Sequence, residues 1–79
     1  MDEEHKKILK ILYESYNNNQ GYQIDSKDLK EKSDLKPEEL ITIANYLEGE
    51  GYIKIEPYLD GFEATITHQG IKLAKKWSK

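Results

Sequence analysis

The chain has 79 residues, a formal charge of −3, 37% hydrophobic and 34% charged residues, and no cysteine. That size allows one small domain over residues 1–79 with a single core, and the absence of cysteine excludes a disulfide framework, a thiolate nucleophile and any cysteine-based metal site. No apolar run approaches the ~20 residues needed to span a bilayer, and the opening MDEEHKKILKILY, acidic and interrupted by Lys10, is unlike a signal peptide. A cytoplasmic protein without membrane attachment is expected.

The first helix is predicted from about Asp2 to Asn18. Ile8, Leu9, Ile11, Leu12, Ser15 and Tyr16 form its inner face, and Lys6, Lys7, Lys10 and Glu14 fall opposite. Acids at positions 2–4 suit the positive end of the helix dipole. Asn17 to Gly21 should end the helix, in residues that tolerate a left-handed cap. Tyr22–Ile24 reads as a short edge strand. Asp25 or Ser26 then caps a second helix over about 26–33, with Leu29 as its buried anchor. After a turn at residues 33–36, Pro37 is placed to open a third helix. Leu40, Ile43, Ala44 and Leu47 would face inward there, and Glu38, Thr42 and Asn45 outward, with Glu39, Ile41 and Tyr46 on the flanks. Gly49 and Gly51 release the chain into alternating strands at 52–56 and 62–67, joined by turn residues Pro57 to Gly61. Ile53, Ile55, Phe62, Ala64 and Ile66 should face the core. Thr67 can cap a last helix through about Ser78, with Ile71, Ala74 and Trp77 inward.

Two short patterns carry a resemblance. Leu47-x-x-x-Gly51-Tyr52-Ile53 takes a helix through glycine into a hairpin, and Ile66-Thr67-x-x-Gly70 takes the second strand into a capped helix. With Leu29 and Leu35-x-x-x-x-Leu40 before them, nearly the whole chain resembles the winged helix-turn-helix superfamily. That resemblance implies an α+β fold, with a three-helix core, a two-stranded β-hairpin wing, a short third strand and a C-terminal helix. It also implies that the outer face of the third helix enters the major groove of double-stranded DNA. By position, the DNA-binding candidates are Lys27, Lys36, Thr42, Asn45, Tyr46 and Lys54. Asn45 has the amide that pairs with adenine, and Thr42 or Ile41 can meet a thymine methyl.

Charge opposes this expectation. Residues 37–67 hold seven acids and one base, Lys54, and all twelve basic residues of the chain are lysine. The bidentate arginine–guanine contact is therefore absent, and each missing cation removes a counterion-release contribution to affinity. Positive charge collects instead at Lys72, Lys75, Lys76 and Lys79, which fall within roughly 100° of one another around an ideal helix. Two functions follow as alternatives. One is a sequence-specific DNA-binding protein, a small transcriptional regulator acting as a dimer. The other is a winged-helix protein–protein interaction module that does not bind DNA, using Ile41, Tyr58, Leu59 and Trp77 as an apolar contact surface. Trp77 and the first helix would serve a homodimer through the terminal helices. His5 and His68 stand apart with no metal-ligand spacing, and Gly49-Glu50-Gly51 follows a helix rather than a strand. No catalytic residue, metal or cofactor is expected, and the protein is read as non-enzymatic.

Overall fold

The computed structural model describes residues 2–18 and 23–77. In chain order these form α1 (Glu3–Asn17), β1 (Gln23–Asp25), α2 (Ser26–Ser33), α3 (Pro37–Gly49), β2 (Ile53–Tyr58), β3 (Gly61–Ile66) and α4 (His68–Trp77). The three strands make an antiparallel sheet in the order β1-β3-β2. This is an α+β winged helix-turn-helix arrangement: α2 and α3 are the helical pair, and β2–β3 is the wing.

The apolar periodicity places every element against one core. Ile8, Leu9 and Leu12 of α1, Leu29 of α2, Leu40, Ile43, Ala44 and Leu47 of α3, and Ile53, Phe62, Ala64 and Ile66 of the hairpin are buried together. Ile24 and Ala74 join them from β1 and α4. Full burial of one such aliphatic side chain is worth about 1.5–3 kcal/mol, so this cluster is the main source of stability.

Local chemistry sets the joints. Asp25 caps α2, its carboxylate accepting from the Lys27 amide. Asp34 ends that helix at φ 61°, a left-handed conformation that a short polar side chain tolerates, and its amide donates to the Lys30 carbonyl at 2.8 Å. Gly51 turns α3 into the wing at φ 85°. Thr67 then fastens the wing to α4. Its hydroxyl donates to the Gly51 carbonyl at 2.6 Å and accepts from the Gly70 amide at 3.1 Å, so the predicted cap also staples the end of α3. A Cβ at Gly70 would overlap the Tyr52 carbonyl oxygen, which explains glycine at that position.

Two local expectations, the bounds of the first strand and the length of the hairpin loop, are revised. The first strand spans Gln23–Asp25, one residue later than predicted, and Tyr22 lies outside the described residues. α1 ends, as expected, within the Asn17–Gly21 stretch, at its C-cap Asn18 with φ −93°; residues 19–21 lie outside the described residues. The hairpin is tighter than its turn residues suggest: Pro57 pairs with Phe62 and Tyr58 with Gly61, leaving only Leu59 and Asp60 in the loop. Pro57 is tolerated because β2 is an edge strand. The amide of Ile55, two residues earlier on the same side, also points away from the sheet.

Candidate nucleic-acid interface

With Leu40, Ile43, Ala44 and Leu47 buried, helical spacing turns Glu38, Thr42 and Asn45 to solvent as one stripe along α3. Thr42 donates its hydroxyl to the Glu38 carbonyl at 2.9 Å, which commits its proton and leaves the oxygen lone pairs and the methyl for a ligand. The Asn45 amide is exposed and engaged by no described residue. Tyr46 sits on the flank nearest α1. Its ring meets His5 edge-on, with centroids 4.7 Å apart and planes at 78°, so half of this candidate is occupied in joining α3 to α1.

The other flank of α3 faces the wing across a continuous trough. One stretch, about 370 Å³, runs between Lys27 and Lys30 of α2, Ile41 of α3 and the hairpin tip. The next, about 480 Å³, continues past Asn45 to Ile55, Pro57 and Leu59. Ile41, Asp60, Gly61 and Phe62 line both stretches. The floor is therefore apolar, and the α2 bank is basic. Lys27 and Lys30, three residues apart, share one face of α2; neither forms a salt bridge with a described residue, though after the Tyr58 hydroxyl the Lys27 charge helps to lower the Asp25 carboxyl pKa. Lys30 was not singled out by sequence; its spacing from Lys27 was the signal that could have found it. Lys36 is exposed at the N-cap of α3, six positions after Lys30, and lines neither stretch of the trough.

The acids of the 37–67 segment are not spread evenly over this surface. Glu39 accepts from the Lys36 amide at 3.2 Å, capping α3, and Glu48 accepts from the Ile55 amide at 2.9 Å, closing the open edge of β2. Glu56 and Glu63 are cross-strand partners, and Asp25 pairs with Glu63 on the other side. Partners in register point to the same side of a sheet, so Asp25, Glu63 and Glu56 form one row. Phe62, Ala64 and Ile66 are buried, which places that row on the face turned away from the core. Like charges in register repel. Tyr58 relieves part of this by lying over Gly61 and donating its hydroxyl to Asp25. That bond holds the Asp25 carboxyl below its ordinary value of 3.8 and raises the Tyr58 phenol above its ordinary 10.0. Of the seven acids in the segment, Glu38, Glu50 and Asp60 lie outside that row and have carboxylates that accept no hydrogen bond from a described residue; Glu38 stands on the outward stripe of α3, Glu50 caps its C-terminus and Asp60 borders the trough.

The remaining candidates do not converge there. Lys54 stands opposite Thr65 on the same outer sheet face as the acidic row. Lys72, Lys75 and Lys76 are exposed on α4, which packs chiefly on α1; Lys79 lies outside the described residues. Lys6, Lys7 and Lys10 share a groove with Glu3, Glu4 and Glu14, so the positive side of α1 is a mixed surface. Trp77 borders that groove half-buried, with the Lys6 ammonium 5.5 Å from its ring. Among the described residues no group of three or more His, Cys, Asp or Glu could hold a metal ion, and no helix is long and apolar enough to cross a membrane.

This architecture is shared with solved structures. A protein of Ralstonia eutropha JMP134, provisionally named as DNA-binding, matches with a TM-score of 0.88 and 19% identity over 100% of this chain and 99% of its own. AF1382 of Archaeoglobus fulgidus matches with a TM-score of 0.81 and 18% identity over 98% of this chain and 82% of its own. At such identities the likeness establishes the fold. No family model matches the chain, and no curated protein does.

Proposed function

We propose that this chain is a member of the winged helix-turn-helix superfamily that binds double-stranded DNA through α3, as a small cytoplasmic transcriptional regulator without enzymatic activity. One observation carries the proposal: Asn45 of the outward stripe of α3 and the basic bank of Lys27 and Lys30 border one trough, while Glu56 and Glu63 lie on the outer sheet face and Glu39 and Glu48 accept backbone amides. In this arrangement Lys27, Lys30 and Lys36 neutralise phosphates, which gives affinity without sequence preference. Asn45 and the Thr42 methyl reach base edges, which gives discrimination. The provisional name of the Ralstonia protein agrees with DNA as ligand.

Fluorescence anisotropy against a mixed-sequence duplex tests it. Non-specific binding should appear with a Kd of about 10⁻⁴–10⁻⁶ M near physiological salt and tighten as salt is lowered. With three phosphate-contacting lysines, the log–log salt slope should lie near roughly −3. Failure to bind more tightly than about 10⁻⁴ M even at very low salt would end the DNA proposal.

A second function is favoured by a separate observation. Ile41 is 48% exposed and Leu59 is 101% exposed, and both border the trough. If duplex DNA is not bound, this apolar surface supports protein docking instead.

A further inference from the structure

The hairpin tip lacks the charge needed to hold a phosphate. The hairpin's only base, Lys54, is five positions before Leu59 on the outer sheet face, beside Glu56 and Glu63, and the loop itself carries Asp60. What the tip offers instead is Leu59, fully exposed in a two-residue loop. Asp60 beside it borders both stretches of the trough.

The tip is also braced from below. Tyr58 donates to Asp25, the Phe62 amide donates to the Ser26 hydroxyl at 3.2 Å, and Gly61 lets the Tyr58 ring and Ser26 approach the backbone closely. These contacts tie both sides of the loop to the start of α2, the helix that carries Lys27 and Lys30. A large apolar side chain held on a rigid support is what separating stacked bases requires, because a yielding loop would fold back instead of transmitting force.

We propose that Leu59 is an apolar wedge. While α3 lies in the major groove, the wing tip enters the neighbouring minor groove and Leu59 presses into a base step, bending the duplex. The wing then contributes by unstacking and burial instead of by neutralising phosphate. This rests on the DNA binding proposed above and specifies how one part of that surface engages the duplex. Sequence preference follows from it: flexible pyrimidine–purine steps, TA above all, cost least to unstack.

Two measurements on end-labelled short duplexes separate this inference from its foundation. Anisotropy gives affinity and its salt slope, and energy transfer between the two end dyes gives bending. Wild type should shorten the end-to-end distance, more on duplexes with a central TA step than on A-tract duplexes. Leu59→Ser should abolish the shortening and weaken binding about tenfold while keeping the salt slope, because no phosphate contact is lost. Leu59→Phe should retain bending. Since Leu59 makes no buried contact, circular dichroism should report an intact fold in both variants. If wild type binds and Leu59→Ser binds and bends alike, the wedge is wrong and DNA binding by α3 stands. If wild type does not bind any duplex, both proposals fall together.

Discussion

The phenolic hydroxyl of Tyr58, at the end of the wing, donates to the carboxylate of Asp25, the residue that caps α2. One side chain therefore ties the hairpin tip to the helix-turn-helix across 33 positions of sequence. Because the bond needs a neutral phenol and an ionised carboxyl, it defines a pH window.

Asp25 has its folded pKa lowered, chiefly by Tyr58, so its contribution is complete above the unfolded value of 3.8 and is lost as pH falls through the lower folded value. Tyr58 has its folded pKa raised, chiefly by Asp25, so its contribution is complete below 10.0 and is lost as pH rises through the higher folded value. The difference in thermal unfolding between wild type and Tyr58→Phe should accordingly be flat between these limits and shrink beyond either one. In an ultraviolet titration of the phenols, Asp25→Asn should bring the Tyr58 component back toward 10.0. A difference that stayed constant down to strong acid would show that the bond is not formed in solution.

Two glycines of similar sequence setting should respond oppositely to alanine. At Gly70 a Cβ would strike the Tyr52 carbonyl and approach the Ile66 side chain, so Gly70→Ala should destabilise by about 1–3 kcal/mol or more. At Gly49 nothing lies within 4 Å of the added carbon, and φ is not positive. Gly49→Ala should stabilise by about 0.4–1 kcal/mol through loss of unfolded-chain freedom. Urea unfolding of the two variants checks both signs.

Glu48 illustrates how an acid can be structural on a surface expected to meet phosphate. Removing its carboxylate by Glu48→Ala frees the Ile55 amide on the open edge of β2, at a cost of about 1 kcal/mol. Hydrogen exchange at Ile55 should quicken in that variant, and Glu48→Gln, which keeps an acceptor, should restore most of the protection. Unchanged exchange in Glu48→Ala would mean the edge is protected by something else.

Reversing the charge of Lys27 or Lys30 should weaken duplex binding almost equally for all sequences, and each should reduce the salt slope by about 0.9. Asn45→Ala should behave differently, costing discrimination of about 1–3 kcal/mol at one base pair with little change in slope. Lys54→Ala is expected to do neither, because Lys54 stands on the outer sheet face. A large loss of affinity with Lys54→Ala would place the DNA on the wrong side of the wing.

Much of the fold was legible because its signals are local. The spacing of Leu40, Ile43, Ala44 and Leu47 marks one helix face wherever the helix sits, and all four are buried. Thr67 followed by Gly70 marks a helix start, and the Thr67 hydroxyl does accept from the Gly70 amide. The hairpin was harder to delimit, because Pro57 and Gly61 are turn-forming residues that here lie in paired strands. For Pro57 the reason is the edge position of β2, a property of strand order. The stripe of Glu38, Thr42 and Asn45 was likewise predictable from periodicity, whereas the contact of Tyr46 with His5 joins residues from two helices and was not.

By itself, the sequence determined the order of the elements, most of the inward face of each, and the count of seven acids against one base in residues 37–67. A count has no direction. Tertiary structure decided where those charges point: Glu39 and Glu48 to backbone amides, Glu56 and Glu63 to the outer sheet face in register with Asp25, and Lys27 with Lys30 beside α3. Strand register and helix packing join residues tens of positions apart. For that reason an acidic segment can still present a surface whose floor is apolar and whose bank is basic.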